Sequence, residues 1–306
     1  MATTTKFSNR VQGVLTVILA TVCWSTSSIL INLIYQNFSI PAVSLAFWRD
    51  LSTFIVLLVG ILIFQPTLLK IKRSDLPWFM AMGAISIGLF HVTWNRSVVL
   101  LGASIATVMQ SNAPIFVTVI AWLFLGEALT SRKAFAVILA VTGTVLCSGI
   151  IDAGGQEITI PGLTIGLVGA IAYGTYPLFG KKLAGNYSQW TILFYIFTFG
   201  WLTLLPFQFN MPLPWPVPGI TLGYFAAFIL ISTIGGFGIF TLALKWIQAS
   251  VASITATSEI VFAAVLAYFI LGERLGIWQI LGAVLVISGV ILVSLPNGRL
   301  KRKIPK

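Results

Sequence analysis

Three ionisable side chains interrupt long apolar runs, and each marks a place where chemistry is possible: Arg49, His91 and Glu259. A charge at membrane depth is costly, so each needs a partner or a task. Arg49 lies about eight residues into its run, roughly 12 Å along a helix. There it attracts a solute carboxylate, holds a gate, or clamps carbonyls or a carboxylate of another segment. The structural reading is preferred for it, since buried cations are commonly structural. Asp50 is expected not to pair with it, because consecutive helix residues point about 100° apart. Glu259 lies about nine residues into its run, near the midplane. A carboxyl there either carries a proton and meets solute or ties its helix to a neighbour. His91 shares a helical stripe with Trp94 and Asn95 at i+3 and i+4. Imidazole, indole and amide together suit an amphipathic metabolite, and the imidazole can also couple to protons. The alternative is a histidine hydrogen-bonded between helices.

Uncharged polar residues extend the candidate surface. Thr21, Trp24, Ser25, Ser28 and Asn32 form one stripe, and Thr107, Gln110, Ser111 and Pro114 form another. Lipid disfavours such faces, so they point inward. Small hydroxyl residues are equally explained as interhelical glue. Trp24, Gln110 and Asn112 are harder to explain that way and join the candidate lining, with Tyr173 and Tyr176 ahead of Pro177. Gly166, Gly169 and Ala170 read as a close-packing face. The Ser232–Gly238 stretch holds three glycines in four residues and marks a hinge or a close helix crossing. Glu127 and Glu273 each follow a Leu-Gly at a helix end and read as capped, solvated ends.

Other chemistries find no support. One histidine cannot make a multi-histidine metal cluster, and Cys23 and Cys147 lie inside apolar runs, so neither a metal nor a disulfide framework is expected. No G-x-x-x-x-G-K-[ST] loop is present to bind ATP. No cofactor is expected, and no enzyme active site.

The elements that must position these residues follow from composition. The 306 residues are 58% hydrophobic and 8% charged, with a mean hydropathy of +1.01, far from a soluble domain at about 25% charged. A membrane-crossing helix takes roughly 20 residues. Ten candidate spans fall at about 12–35, 41–64, 76–95, 103–125, 132–150, 161–180, 189–209, 219–241, 250–271 and 276–295. The connections between them are too short for a soluble domain. Asn210–Pro218 holds four prolines and reads as an external loop, and Ile151–Pro161 carries Asp152 and Glu157. The net charge of +11 sits in short clusters between spans. It is therefore not the solvated basic face of a nucleic-acid binder. Lys6, Arg10, Lys70, Lys72, Arg73, Arg132, Lys133, Lys181, Lys182, Lys245 and the tail from Arg299 all fall on one side if ten spans are real. By the positive-inside rule both termini are then cytoplasmic, in a multi-pass protein of the cell membrane. The expected partners are the lipid bilayer and a small-molecule solute, and a monomer is compatible with this reading.

The spans repeat. Ala103-Ser104-Ile105-Ala106 aligns with Ala249-Ser250-Val251-Ala252 at an offset of 146, and Leu125-Gly126-Glu127-Ala128-Leu129 with Leu271-Gly272-Glu273-Arg274-Leu275. Gly143 likewise matches Gly289. The chain thus divides into five-span halves, 11–150 and 161–295, with a basic cytoplasmic tail at 296–306. Five is odd, so the second half enters the membrane inverted, a common transporter architecture. With small-Ser-x-Ala and Leu-Gly-Glu-x-Leu in both halves and an embedded Arg49, the chain resembles the EamA-type family of the drug/metabolite transporter superfamily. Members often carry Glu-Pro in spans 4 and 9; here Ala113-Pro114 and Glu259-Ile260 each keep one member of the pair. The resemblance implies an all-α integral membrane protein with ten transmembrane helices, as two inverted repeats around a central cavity. It also implies a secondary transporter, with export of amino acids or other small metabolites as the commonest activity. The aromatic candidates and scarcity of fixed charge favour aromatic or hydrophobic amino acids. S-adenosylmethionine is the alternative, since aromatic faces attract a sulfonium. An integral-membrane enzyme, a channel or an assembly subunit fits less well.

Overall fold

Large apolar side chains crowd the outside of the molecule as well as the inside. Val59, Ile63, Leu123, Ile138, Leu230 and Phe269 are all exposed. Such a surface is unstable in water and at home in hydrocarbon. The computed structural model describes residues 2–151, 159–209, 211, 213–214, 216–272 and 274–295, and among them there is no strand. The helices are α1 (Ala2–Asn37), α2 (Ala42–Phe64), α3 (Arg73–Gly102), α4 (Ile105–Phe124), α5 (Ser131–Cys147), α6 (Ile160–Ala184), α7 (Gln189–Gln208), α8 (Gly219–Ala243), α9 (Ala249–Ile270) and α10 (Ile277–Ser294). Among the described residues nine are long and apolar enough to cross a membrane, one fewer than the ten expected. The short one is α5, with 17 residues. The expectations for Asp152, Glu157, Glu273 and the tail at 296–306 lie outside the described residues.

Local chemistry sets the helix limits. Thr130, Thr159 and Ser188 cap α5, α6 and α7 by accepting the backbone N–H groups of Lys133, Gly162 and Trp190, each at 3.3 Å. Gly102, at φ +80°, breaks the chain between α3 and α4, a conformation that side chains with a Cβ rarely adopt. Within α4 the helix slips at Ser111–Asn112, and within α9 it slips at Thr257. The glycine stretch in α8 is not an interruption. Phe228–Phe237 is wound more widely, as a π-helix, and runs on into an α-helix at Gly238. Thr233 donates its hydroxyl to the carbonyl of Phe228, five residues back, at 3.0 Å. Gly236 is where α8 meets the indole of Trp24, since a Cβ there would fall 2.4 Å from the Trp24 ring.

The core lies where α1, α3, α6, α7, α8 and α9 converge, around Val17, Phe79, Ile192, Phe197, Leu244 and Ile254. A second close packing joins α5 to α10. A Cβ on Gly282 would lie 2.5 Å from the Gly143 carbonyl oxygen, so the two backbones touch directly. Helix ends are then stitched together by polar groups. Arg10 donates to the Val293 carbonyl, and Arg132 to that of Leu295 at 3.2 Å. These bonds place the start of α1, the start of α5 and the end of α10 together. On α7, Thr191 and Tyr195 donate to the carbonyls of Leu68 and Leu69 at 2.9 and 2.7 Å.

Candidate functional site

Arg49 and Asp50, side by side on α2, do pair. The guanidinium donates from Nε and Nη2 to Asp50 Oδ1 at 3.0 and 2.9 Å. The expectation from helix geometry fails because it concerns where Cβ atoms point, and the long arginine side chain folds back past that angle. Asp50 is completely buried. Its Oδ2 lies 3.3 Å from His91 Nδ1 on α3. Arg49 also reaches the His91 ring, with Nη2 3.1 Å from Nδ1, and its guanidinium lies 5.5 Å from the ring centre of Phe228 on α8. The three side chains form a charge-compensated clamp between α2 and α3. Asp50, whose pairing the helix geometry argued against, is the carboxylate of this clamp. The signal was present: a second embedded charge beside the first.

His91 therefore faces Arg49 and Asp50. Its stripe partner Asn95 donates its amide to the His91 carbonyl at 2.7 Å, turning back on its own helix. Asn112 does the same on α4, donating to Val108 and Met109 carbonyls at 3.0 and 3.1 Å. Trp94 and Gln110 are half-buried. Trp94 lies 6.3 Å from Phe90, and Phe90 lies 5.0 Å from Tyr173 on α6, between ring centres. This aromatic row spans α3 and α6. The two helices approach closely at Gly166 and Gly169, opposite Ser97 and Thr93, as the small-residue face implies.

Glu259 of α9 lies in the neighbourhood of Tyr173. Glu259 is half-buried and occupies the first turn of the α9 segment that follows the Thr257 slip. Among the described residues it makes no hydrogen bond and no ion pair. The adjacent Ser258 meets Thr21 of α1, oxygen to oxygen, at 3.0 Å. Glu259 thus stands open on a helix anchored beside it.

Trp24 and Tyr176 occupy a different place. Both are buried in an aromatic cluster with Phe237 and Phe240. The Trp24 ring lies 5.1 and 4.9 Å from those two. The Tyr176 hydroxyl meets that of Thr241 at 2.8 Å. In this conformation they pack the core between α1, α6 and α8. Glu127 is also not where a solvated helix end would put it. It is buried, pairs with Lys133 at 3.0 Å and accepts the backbone N–H of Ala249 at 2.7 Å. Burial is possible because its partners supply a counter-charge and donors.

Comparison with known proteins accords with this architecture. A model of the EamA-like transporter family matches residues 11–149 and 160–295. The uncharacterized inner membrane transporter YicL of Salmonella typhimurium is 26% identical over 303 residues, covering 95% of this chain and 98% of that protein. A probable terminal-alkyne amino-acid exporter of Streptantibioticus cattleyicolor is 26% identical over 290 residues, 92% of this chain and 93% of that one. A solved crystal structure shares the fold with a TM-score of 0.78, at 16% sequence identity over 92% of this chain and 96% of that chain.

Proposed function

The chain belongs to the EamA-like transporter family, and we propose that it is a secondary transporter exporting amino acids, aromatic or hydrophobic ones above all, by alternating access. It is a multi-pass membrane protein. The observation that carries the reading is Glu259, an embedded carboxyl with no hydrogen-bond or ion-pair partner among the described residues, in the neighbourhood of Tyr173. A carboxylate there suits the ammonium of an amino acid, and Tyr173, Phe90 and Trp94 suit an apolar or aromatic side chain. Arg49 is already paired and serves as the structural charge. A proton entering from outside competes with the ammonium for Glu259, so inward proton flow drives solute release. The amino-acid exporter among the relatives supports the substrate class.

Ten crossings in two inverted halves, with both termini cytoplasmic, complete the proposal. A 17-residue α5 falls at the lower limit of about 17–25 residues for a crossing helix. The family model matches in two stretches. The slips at Ser111 and Thr257 and the left-handed glycines Gly126 and Gly272 recur at the offset of the sequence repeat.

Counterflow in proteoliposomes tests the function. Saturable exchange is expected for phenylalanine and leucine and not for phenylpropionate, which lacks the ammonium. Equal exchange of phenylpropionate would remove Glu259 from recognition. Exchange of S-adenosylmethionine alone would replace the substrate class.

A further inference from the structure

Just past the left-handed turn at Gly126 lies a carboxylate whose partners come from both halves of the chain. Glu127 is 7% exposed. Its Oε1 accepts the backbone N–H of Ala249 at 2.7 Å. Its Oε2 accepts Lys133 Nζ at 3.0 Å and also the hydroxyl of Ser250. Ala249 and Ser250 open α9, where backbone N–H groups lack intrahelical partners and a negative charge is favoured. Lys133, itself buried, belongs to the first turn of α5. The cluster therefore fastens the end of α4 and the start of α5 to the start of α9. At the end of α6, Lys181 donates to the Leu244 carbonyl after α8 at 2.6 Å.

The helix fastened in this way is the one that carries Glu259, nine residues beyond Ser250, or about 14 Å along the axis. A displacement of the α9 start from α4 and α5 would open a way to Glu259 from this end of the bundle. The bonds are arranged for that step. When Glu127 releases Ala249 and Ser250, it keeps Lys133, so neither charge is stranded. Only two hydrogen bonds are exchanged with water.

We propose that Glu127 is a positioning residue of the transport cycle: bound to Ala249 and Ser250 it holds this end of the path shut, and by releasing them it opens it. The inference rests on the alternating-access reading above, so its test reads access and not flux alone. In a Cys23→Ser/Cys147→Ala background, a reporter Ser253→Cys is labelled with a membrane-impermeant thiol reagent from the Lys133 side. Ser250→Ala, which keeps the ion pair intact, and Glu127→Gln are each expected to speed labelling by about tenfold or more. A second reporter at the opposite end, Phe38→Cys, does not label faster, which separates gate opening from unfolding. A bis-thiol cross-link between cysteines at 127 and 250 is expected to stop exchange reversibly. Unchanged Ser253→Cys labelling in the folded Ser250→Ala protein, or continued exchange after cross-linking, would overturn the proposal. Faster labelling in a protein that exchanges no solute would uphold the gate and reject the transporter reading.

Discussion

Asp50 balances the charge of the clamp between α2 and α3 with a single side chain. It is wholly buried between Arg49 and His91, so its loss leaves a guanidinium in a low dielectric with no counter-charge. Asp50→Asn is expected to lower stability by about 3–5 kcal/mol, and the double variant Arg49→Met/Asp50→Leu to regain most of it, because breaking a buried pair costs more than replacing it. Thermal unfolding in detergent reads both. Glu259 has the opposite character, being half-buried and open. Glu259→Gln should abolish pH-driven transport and raise the phenylalanine concentration needed for half-maximal counterflow, because an amide oxygen holds an ammonium less tightly than a carboxylate does. A pH dependence identical to that of the unaltered protein would reduce Glu259 to a packing role.

Among the elements, the α5–α10 contact is the tightest to predict. Gly282→Val pushes side-chain atoms onto a carbonyl that a Cβ alone would approach to 2.5 Å, so the helices must separate, at a cost of about 1–3 kcal/mol or more. Gly60 on α2 has nothing within 4 Å of its Cβ position, so Gly60→Ala should be neutral or stabilising by up to about 1 kcal/mol. Melting temperatures of the two variants, measured side by side, test whether glycine here serves packing or is incidental. The wide winding of α8 illustrates how a glycine stretch can permit close crossing without breaking a helix. Its hydrogen bonds shift register and the chain continues.

For the whole molecule, the proposed ten crossings with inverted halves require opposite-end accessibility. Single cysteines within Asn210–Pro218 should label from outside, and one at Arg132 from inside. Labelling of both from one side would reject the inverted arrangement. The sequence repeat also relates Glu127 and Ser250 to Glu273 and Ser104. If the halves exchange fasteners during the cycle, Glu273→Gln should favour opening at the end away from Lys133, opposite in sign to Glu127→Gln. Labelling rates of reporters at both ends decide it.

The amino-acid sequence by itself determined the membrane class, most of the helix limits and the repeat, because a bilayer leaves an apolar run little choice but a helix. It also marked Arg49, His91 and Glu259, since an ionisable residue inside such a run stands out against it. Tertiary structure alone decided their company. Whether His91 meets Trp94 and Asn95 or Arg49 and Asp50 depends on the rotation of α3 about its axis against α2. Trp24 and Tyr176 go to the core because α8 approaches α1 closely enough at Gly236 to bring Phe237 and Phe240 against them. Glu127 is buried because α9 begins beside it, 122 residues away. Such contacts are set by how helices cross and turn, and no spacing within a single helix records that.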